Sequence, residues 1–456
     1  MTEVSAERAA AAARHVVERL RGKGYCALYA GGCVRDRLRG ETPSDYDVAT
    51  DADPTAVQKL FARTVPVGAS FGVVLVIVDG EPVEVAKFRA DEEYVDGRHP
   101  VAVREATPRE DARRRDFTIN GMFLDPDTGD VLDYVGGRAD LEAGVVRAIG
   151  EPRERFREDR LRMLRAVRFA ARFGFEIDSD TMRAIGENAA TLDAIAPERI
   201  GDEIVRILTE GGARRGFELL DSSGLLEVVL PEIAAMHGVE QSPDYHPEGD
   251  VFEHTMRLLD ALHEPTESLA LAALLHDVAK GECAERKVDR ITFYGHTEIG
   301  EKRAVEICQR LRRSRVVWER VGYLVRNHLR HVSAPDMRRS TLRRFLSEDG
   351  IEELLELARI DALAANGDLT SYEFCVRQRE AIGVEEMRPP PLLKGRDLLD
   401  LGWQPGPRIG AILEAVEERQ LEGDLESKEA ALGWVKQTFG AELASSRRPL
   451  REIEGD

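Results

Sequence analysis

The 456-residue chain predicts an α+β protein, with strands confined to its first third and helices filling the remainder. Three observations carry that prediction. Short apolar runs bounded by Gly and Asp fall before about residue 150, among them Tyr25–Ala30 and a hairpin pattern over Val73–Phe88. An arginine-rich stretch of helical periodicity follows at Glu151–Phe175, and beyond Pro197 the pattern stays helical. The boundaries drawn from these shifts are 1–150, 151–240, 241–388 and 389–456.

Composition narrows the class. The 43% hydrophobic and 32% charged content is that of a soluble globular protein. The longest apolar run, Leu269–Leu275, gives way at once to His276-Asp277, so no membrane span is predicted. The opening MTEVSAERAA has an early Glu and no apolar core, unlike a secretory signal. Five cysteines without a CxxC pair fit reduced thiols, and the predicted location is cytoplasmic. A net charge of −20 argues against nucleic-acid binding by the whole surface and directs attention to local basic grooves.

In chain order, Ala6–Gly22 reads as an amphipathic helix, and Cys26–Ala30 as a short strand. Gly31-Gly32 then makes a turn in which backbone amides can approach a phosphate with no Cβ in the way, ahead of a short helix. The next strand carries Asp45 and Asp47, whose alternation turns both carboxylates to one face. Two convergent carboxylates beside a phosphate cradle form a Mg²⁺ site, because that hard cation prefers carboxylate and phosphate oxygens. Pro54 opens a helix that ends near Thr64. Val73–Val78 and Pro82–Phe88 pair through Asp79-Gly80, and Glu84 on the second strand either adds a third carboxylate or faces solvent. Residues 89–108 are polar, turn-rich and expected to be mobile.

Arg113–Asn120, RRRDFTIN, places Arg114 and Arg115 to pair with phosphate oxygens, and Asp116 and Asn120 to meet a ribose. Between Arg153 and Arg172 eight arginines face three acids in an acidic protein. Asp159, Arg162, Arg165 and Arg168 follow an i, i+3 ladder, predicting one helical ridge, with Leu161, Leu164, Val167 and Ala171 packed behind it. The ordinary role of such a run is a salt-bridged surface. Here an Asp and an Arg three apart also offer acceptors and donors for the edge of a base, a protein stand-in for a template strand, with the Arg162 fork expected to be fixed by Asp159 one turn earlier.

These motifs together resemble the class II tRNA nucleotidyltransferases, CCA-adding enzymes and poly(A) polymerases of the polymerase-β-like superfamily. The GG-x-V-R-D…D-x-D motif falls on Gly31–Asp47, R-R-D-F-T-x-N on Arg114–Asn120, E-D-x-x-R on Glu158, Asp159 and Arg162, and E-R-I on Glu198–Ile200. The resemblance implies a small mixed sheet as nucleotidyltransferase head (1–150), then a helical neck and body (151–240) and a helical tail (389–456). It implies Mg²⁺ on Asp45 and Asp47, contacts to the nucleotide from Gly32 and Arg35, and phosphate contacts from Arg115. It further implies that Asp159 and Arg162 read CTP or ATP, with Arg165 and Arg168 near the triphosphate, and that tRNA is the acceptor.

Residues 241–388 carry a second signature. Gln241–Asp250 reads as an entry loop. His254, His276-Asp277, His296, His328 and Asp361 then recur on successive helical segments, a set able to converge on a divalent transition metal. The stretch resembles the HD phosphohydrolases, which implies a core metal set of His254, His276, Asp277 and Asp361, with His296 and His328 as ligands of a second ion. A metal set alone names no substrate. Pro389 opens a tail whose KGRDLLDLGWQPGPRIGAIL suits either RNA phosphates or, more plainly, packing. The expected reaction is addition of C and A to the tRNA 3′ end from CTP and ATP. The alternatives are a CC-only or A-only enzyme, a poly(A) polymerase, and, from another class, an HD phosphohydrolase with a nucleotide-sensing head.

Overall fold

The computed structural model describes residues 3–43, 45–65, 72–91, 103–242, 249–287, 291–383, 387 and 389–446. They fall into two compact units, one ending at Gly322 and the other beginning at Tyr323.

The first unit opens with α1 (Glu3–Arg21), then β1 (Ala27–Ala30), α2 (Gly32–Leu38), β2 (Asp47–Thr50), α3 (Pro54–Leu60), β3 (Thr64–Val65), β4 (Val73–Val78) and β5 (Glu81–Lys87). With β8 (Met122–Leu124) and β9 (Val131–Asp133) the strands form a seven-stranded mixed sheet, ordered β3-β4-β5-β2-β1-β8-β9. Only β2 and β5 run parallel in it, with Asp47 beside Glu84 and Ala49 beside Ala86. Asp79 and Gly80 both have positive φ, 50° and 89°, so the β4–β5 hairpin closes as its Asp-Gly sequence requires.

Strand alternation gives the sheet two unlike faces. One buries Tyr29, Val48, Val83 and Val85 under the apolar stripe Ala13, Val16, Val17 and Leu20 of α1. The other is shallower, with Leu28, Ala30 and Ala49 packed on Phe88, Ala112 and Phe123. That shallow face carries Asp47 and Glu84. Asp45 lies in a bend two residues before β2, so its direction is not set by strand alternation as expected.

The stretch expected to be mobile begins and ends in order: β6 (Arg89–Asp91) pairs antiparallel with β7 (Val103–Glu105), and residues 92–102 lie outside the described ones. α4 (Pro108–Arg114) follows, opened by a reciprocal cap between Thr107 and Glu110, and α5 (Gly137–Ala143) comes after β9.

The predicted single ridge over Asp159–Arg168 is corrected. The helix is broken into α6 (Pro152–Glu158) and α7 (Arg162–Phe173), with Asp159 extended between them at φ −144° and ψ 106°. Its Oδ1 accepts from the Leu161 amide at 3.1 Å, a local bond that competes with helix continuation. Arg162, Arg165 and Arg168 remain on α7, while Leu161, Leu164, Val167 and Ala171 are buried as the pattern demanded.

Next come α8 (Ser179–Asn188), α9 (Pro197–Thr209) and α10 (Ala213–Ser222), the last two packed on α7. Helices α11 (Leu225–Val229), α12 (Pro231–Ala234), α13 (Val251–Asp260), α14 (Glu267–Leu275), α15 (Lys280–Cys283) and α16 (His296–Arg310) continue the unit. In the second unit, the helices Gly395–Asp400, Pro407–Glu422 and Lys428–Ser446 bury Leu398, Trp403, Ile412, Val416 and Val435 together. Arg408, in the Gly-Pro-Arg of the tail, pairs with Glu442 at 2.7 Å. Among the described residues no helix is long and apolar enough to cross a membrane.

Gly212 fixes the approach of α10 to α7. It has φ 72°, and a Cβ there would lie 2.3 Å from the Ala171 carbonyl oxygen. Gly212→Ala is therefore expected to destabilise by about 2 kcal/mol or more, read as a lowered midpoint in thermal or urea unfolding. An unchanged midpoint would show that the turn relaxes freely.

Candidate active site

Three carboxylates crowd the shallow face. Register places Asp47 between Ala30 and Glu84 on neighbouring strands, and Asp45 reaches the same cavity from the preceding bend. Burial, then the charges of Glu84 and Asp45, push the Asp47 carboxyl up to about 7 against the pull of Arg115. Burial and Asp45 push Glu84 up as well. Clustered carboxylates that resist ionising together are a donor set fitted to a hard divalent cation, which relieves the repulsion by binding. Glu84 thus belongs with the cluster.

The glycine turn borders it. Gly31 has φ 70°, and a Cβ on it would come within 3.1 Å of Arg115 Nη1 and 3.7 Å of Asp47 Oδ2. The missing side chain lets the Arg115 guanidinium lie beside the carboxylates. Arg115 is aimed by Asp111, whose Oδ2 accepts from Nη2 at 3.0 Å, and it lies over the Phe123 ring. Burial works to raise Asp111, and Arg115 and Arg114 overcome it to hold that carboxyl low.

Asp116 and Asn120, expected at a ribose, line the cavity but bond inward. Asp116 Oδ2 accepts from Arg165 at 2.6 and 2.9 Å, and its Oδ1 accepts from Asn120 Nδ2 at 3.1 Å. Asn120 Oδ1 in turn accepts from Arg35 Nη1 at 2.7 Å, and Arg35 Nε donates to Asp36 at 2.8 Å. Burial opposes ionisation of Asp116, but the Arg165 pair holds it at about 2. Arg35 also stacks on Phe173, its Cζ 4.6 Å from the ring centre.

One expectation on the arginine helix is corrected. Arg162 is not held by Asp159. Its Nη1 donates to Glu158 at 2.6 Å and to the Arg155 carbonyl at 3.1 Å, and its Nη2 to the Arg114 carbonyl at 3.1 Å. Asp159 instead accepts from Arg199 of α9 at 3.1 Å, because the helix break swings it away from the ridge. Arg168, expected near phosphates, lines the same cavity but is itself buried, with Nε 2.7 Å from Glu203 and Nη1 2.9 Å from Glu210. Two carboxylates neutralise its charge, so it joins α7 to α9.

A cavity of about 890 Å³ collects these groups, among them Gly31, Gly32, Asp45, Asp47, Glu84, Arg115, Asp159, Arg162 and Arg165. Arg199, Arg206 and Arg172 also line it and were not singled out as site residues. Arg199 stands inside the E-R-I stretch, which was the available signal.

A second cluster lies in the same unit. His254 of α13, and His276 and Asp277 just after α14, are buried and bring one ligand atom each within 4.8 Å of one another. His276 Nε2 is 3.0 Å from Asp277 Oδ2, His254 Nε2 is 3.9 Å from it, and His296 Nε2 is 3.7 Å from Asp277 Oδ1. The Nδ1 atoms of His276 and His296 lie 3.0 and 2.7 Å from the carbonyls of Ala273 and Phe293. Those carbonyls accept, so Nδ1 keeps the proton and Nε2 is left as the donor to an ion. Lys280 Nζ, buried, bonds Asp277 Oδ2 and Gln241 Oε1, both at 2.6 Å. His328 and Asp361 belong to the second unit, with His328 Nδ1 2.8 Å from the Val325 carbonyl.

Comparison with known proteins gives a consistent picture. Family models match for a poly A polymerase head domain over residues 27–147, a probable RNA and SrmB-binding site of polymerase A over 174–236, and an HD domain over 245–366. The CCA-adding enzyme of Lactobacillus johnsonii is 30% identical over 92% of this chain and 95% of its own. The A-adding tRNA nucleotidyltransferase of Deinococcus radiodurans is 32% identical over 91% of this chain and 97% of its own. The crystal structure of the Bacillus stearothermophilus CCA-adding enzyme in complex with CTP superposes with a TM-score of 0.72 at 26% identity, over 95% of this chain and 98% of that one. Head and HD folds of these kinds use divalent metals.

The crowded carboxylates make a pH prediction. The Asp47 carboxyl is raised above its unfolded value, so its favourable contribution is complete below about pH 4 and lost as pH rises to about 7. In chelator, Asp47→Asn should therefore gain melting temperature on the parent across that window and hold a constant lead above it. Added divalent ion should raise the parent alone. A lead independent of pH would contradict the clustering.

Proposed function

This chain belongs to the family of CCA-adding and A-adding tRNA nucleotidyltransferases, and we propose that it adds C and A to the 3′ end of tRNA, using CTP and ATP without a nucleic-acid template. The observation that carries the reading is one cavity lined both by the carboxylate cluster at Asp47 and by the Asp159 and Arg162 side chains. Chemistry and base recognition can then act on one bound nucleotide.

In the proposed reaction the RNA 3′-hydroxyl attacks the α-phosphate and pyrophosphate leaves. Asp45, Asp47 and Glu84 would hold Mg²⁺, which when bound favours ionisation of the hydroxyl and offsets charge on the triphosphate. The chain's own groups do the rest. Gly31 and Gly32 leave room for the phosphates, and Arg115, aimed by Asp111, faces them with a fixed fork. Arg165, oriented by Asp116, lines the path between phosphates and base. Asp159 supplies an acceptor and Arg162 donors to the base edge. Each is held by its own partner, Arg199 for the one and Glu158 for the other, so the two can be tuned separately.

The proposed division is head 1–150, neck and body 151–240, HD domain 241–388 and tail 389–456, in a cytoplasmic protein. The HD cluster at His254, His276 and Asp277, with His296 beside it, would bind a divalent transition metal suited to phosphate ester hydrolysis.

The decisive experiment incubates pure protein with tRNA lacking CCA, tRNA ending in CC, and each labelled nucleotide. Addition of all three residues is expected. Addition only to the CC-ended tRNA would favour the A-adding reading that the Deinococcus relative represents. Asp47→Ala should abolish addition while the protein stays folded, its circular dichroism spectrum matching the parent's. His276→Ala should lower metal content and leave addition intact. Arg162→Ala should cost about 1–3 kcal/mol of base discrimination, roughly one to two decades in single-turnover selectivity. Equal losses for all four nucleotides would instead assign Arg162 to the triphosphate.

A further inference from the structure

α16, the helix opened by His296, ends in a Schellman turn. The Arg313 amide donates to the Cys308 carbonyl at 2.9 Å and the Arg312 amide to that of Gln309 at 3.0 Å. Arg312 holds the left-handed position, φ 57°, where glycine is the usual residue. The turn lays Leu311 and Arg313 against α9 at Gly201, where a Cβ would come 2.4 Å from the Leu311 carbonyl oxygen and 3.0 Å from Arg313 Nη2. The Arg313 side chain is only 9% exposed. Its Nη2 donates to the Glu198 carbonyl at 3.2 Å and to Asp202 at 2.7 Å, both on α9. Its Nη1 reaches Glu267 of α14 at 3.5 Å, and its Nε the Leu311 carbonyl at 3.0 Å. One guanidinium thus grips α9 one residue before Arg199 and three residues after it.

α9 supplies one wall of the large cavity through Arg199, Arg206 and Glu210. Arg199 donates to Asp159 at 3.1 Å, whereas Arg162 is held from α6 and α4 through Glu158 and the Arg155 and Arg114 carbonyls. A shift of α9 would therefore carry the partner of Asp159 with it and leave Arg162 where it stands. Resting on the base reading proposed above, we propose that Arg313 is a positioning residue for nucleotide choice. By clamping the first turn of α9 it sets where Arg199 holds Asp159, and so the spacing between the acceptor and the donors offered to a base. Bidentate recognition discriminates only while that spacing is fixed, because a loose pair can adapt to the wrong edge. The clamp comes from outside the nucleotide cavity, from the turn that follows a helix of the histidine cluster.

The test measures single-turnover incorporation of each of the four nucleotides by the full-length protein on tRNA lacking CCA. Arg313→Gln should lower the preference for the correct nucleotide by about 10-fold, less than the roughly 100-fold that a misplaced reacting group can cost. Asp202→Asn, at a side chain 60% exposed and so little threat to folding, should shift selectivity in the same direction. Arg310→Gln breaks a pair with Glu232 on the same helix, 2.8 Å in length, and should keep the parental selectivity. In an Arg199→Ala background, adding Arg313→Gln should cost no further selectivity, since the clamp then holds nothing that reaches Asp159. Parental selectivity in Arg313→Gln or in Asp202→Asn, equal slowing of all four nucleotides, or losses that add in the double variant would overturn the proposal. Should Arg313→Gln lose its circular dichroism spectrum, Asp202→Asn decides. Failure of the underlying reading looks different: Asp159→Ala and Arg162→Ala would then keep the parental preference, or the parent would extend no tRNA.

Discussion

A guanidinium cannot shed its charge, so an arginine brought to the wall of a half-buried cavity must be met by an acceptor. That constraint organises the first unit. Arg115 is met by Asp111, Arg165 by Asp116, Arg162 by Glu158, and Arg168 by Glu203 and Glu210. The carboxylates come from α4, the loop after it, α6 and α9, so pairing the arginines also fixes how head and neck helices meet. The acidic cluster at Asp45, Asp47 and Glu84 is the complement, a place where burial and mutual repulsion push carboxyls up and a bound cation would relieve the crowding.

What was legible in the sequence was local. The Gly31-Gly32 turn and the Asp79-Gly80 hairpin follow from φ preferences, and the structure keeps them. The site's misreadings were long-range. An i, i+3 ladder from Asp159 to Arg168 is a sound helical pattern, but Asp159 is drawn off it by Arg199, and Arg168 is captured by Glu203 and Glu210. Those partners lie 35 to 42 residues away, and nothing in the spacing of α7 announces them. Periodicity reports which face a residue shares, not which neighbour claims its charge.

The histidine cluster shows the converse. Its members are spread along the chain, yet their order was the signal, because adjacent His and Asp directly after the apolar run Leu269–Leu275 have few structural uses. The structure adds what spacing could not. A carbonyl three residues back fixes the tautomer of both His276 and His296, and Lys280 bonds the shared carboxylate. A lysine on that carboxylate opposes binding of a cation there, so an ion bound at this cluster would have to compete with an internal ammonium.

The parallel pairing of β2 with β5 has a consequence for how such a chain can change length over evolutionary time. Asp47 and Glu84 share a face only because both strands keep period two from the pairing point onward. A single-residue insertion or deletion within β5 ahead of Glu84 would rotate that carboxylate to the far side of the sheet and bring an apolar neighbour, Val83 or Val85, to the reacting face. Length drift in this lineage should therefore collect in the connections outside the paired strands, while the strands themselves tolerate exchange of residues but not of count.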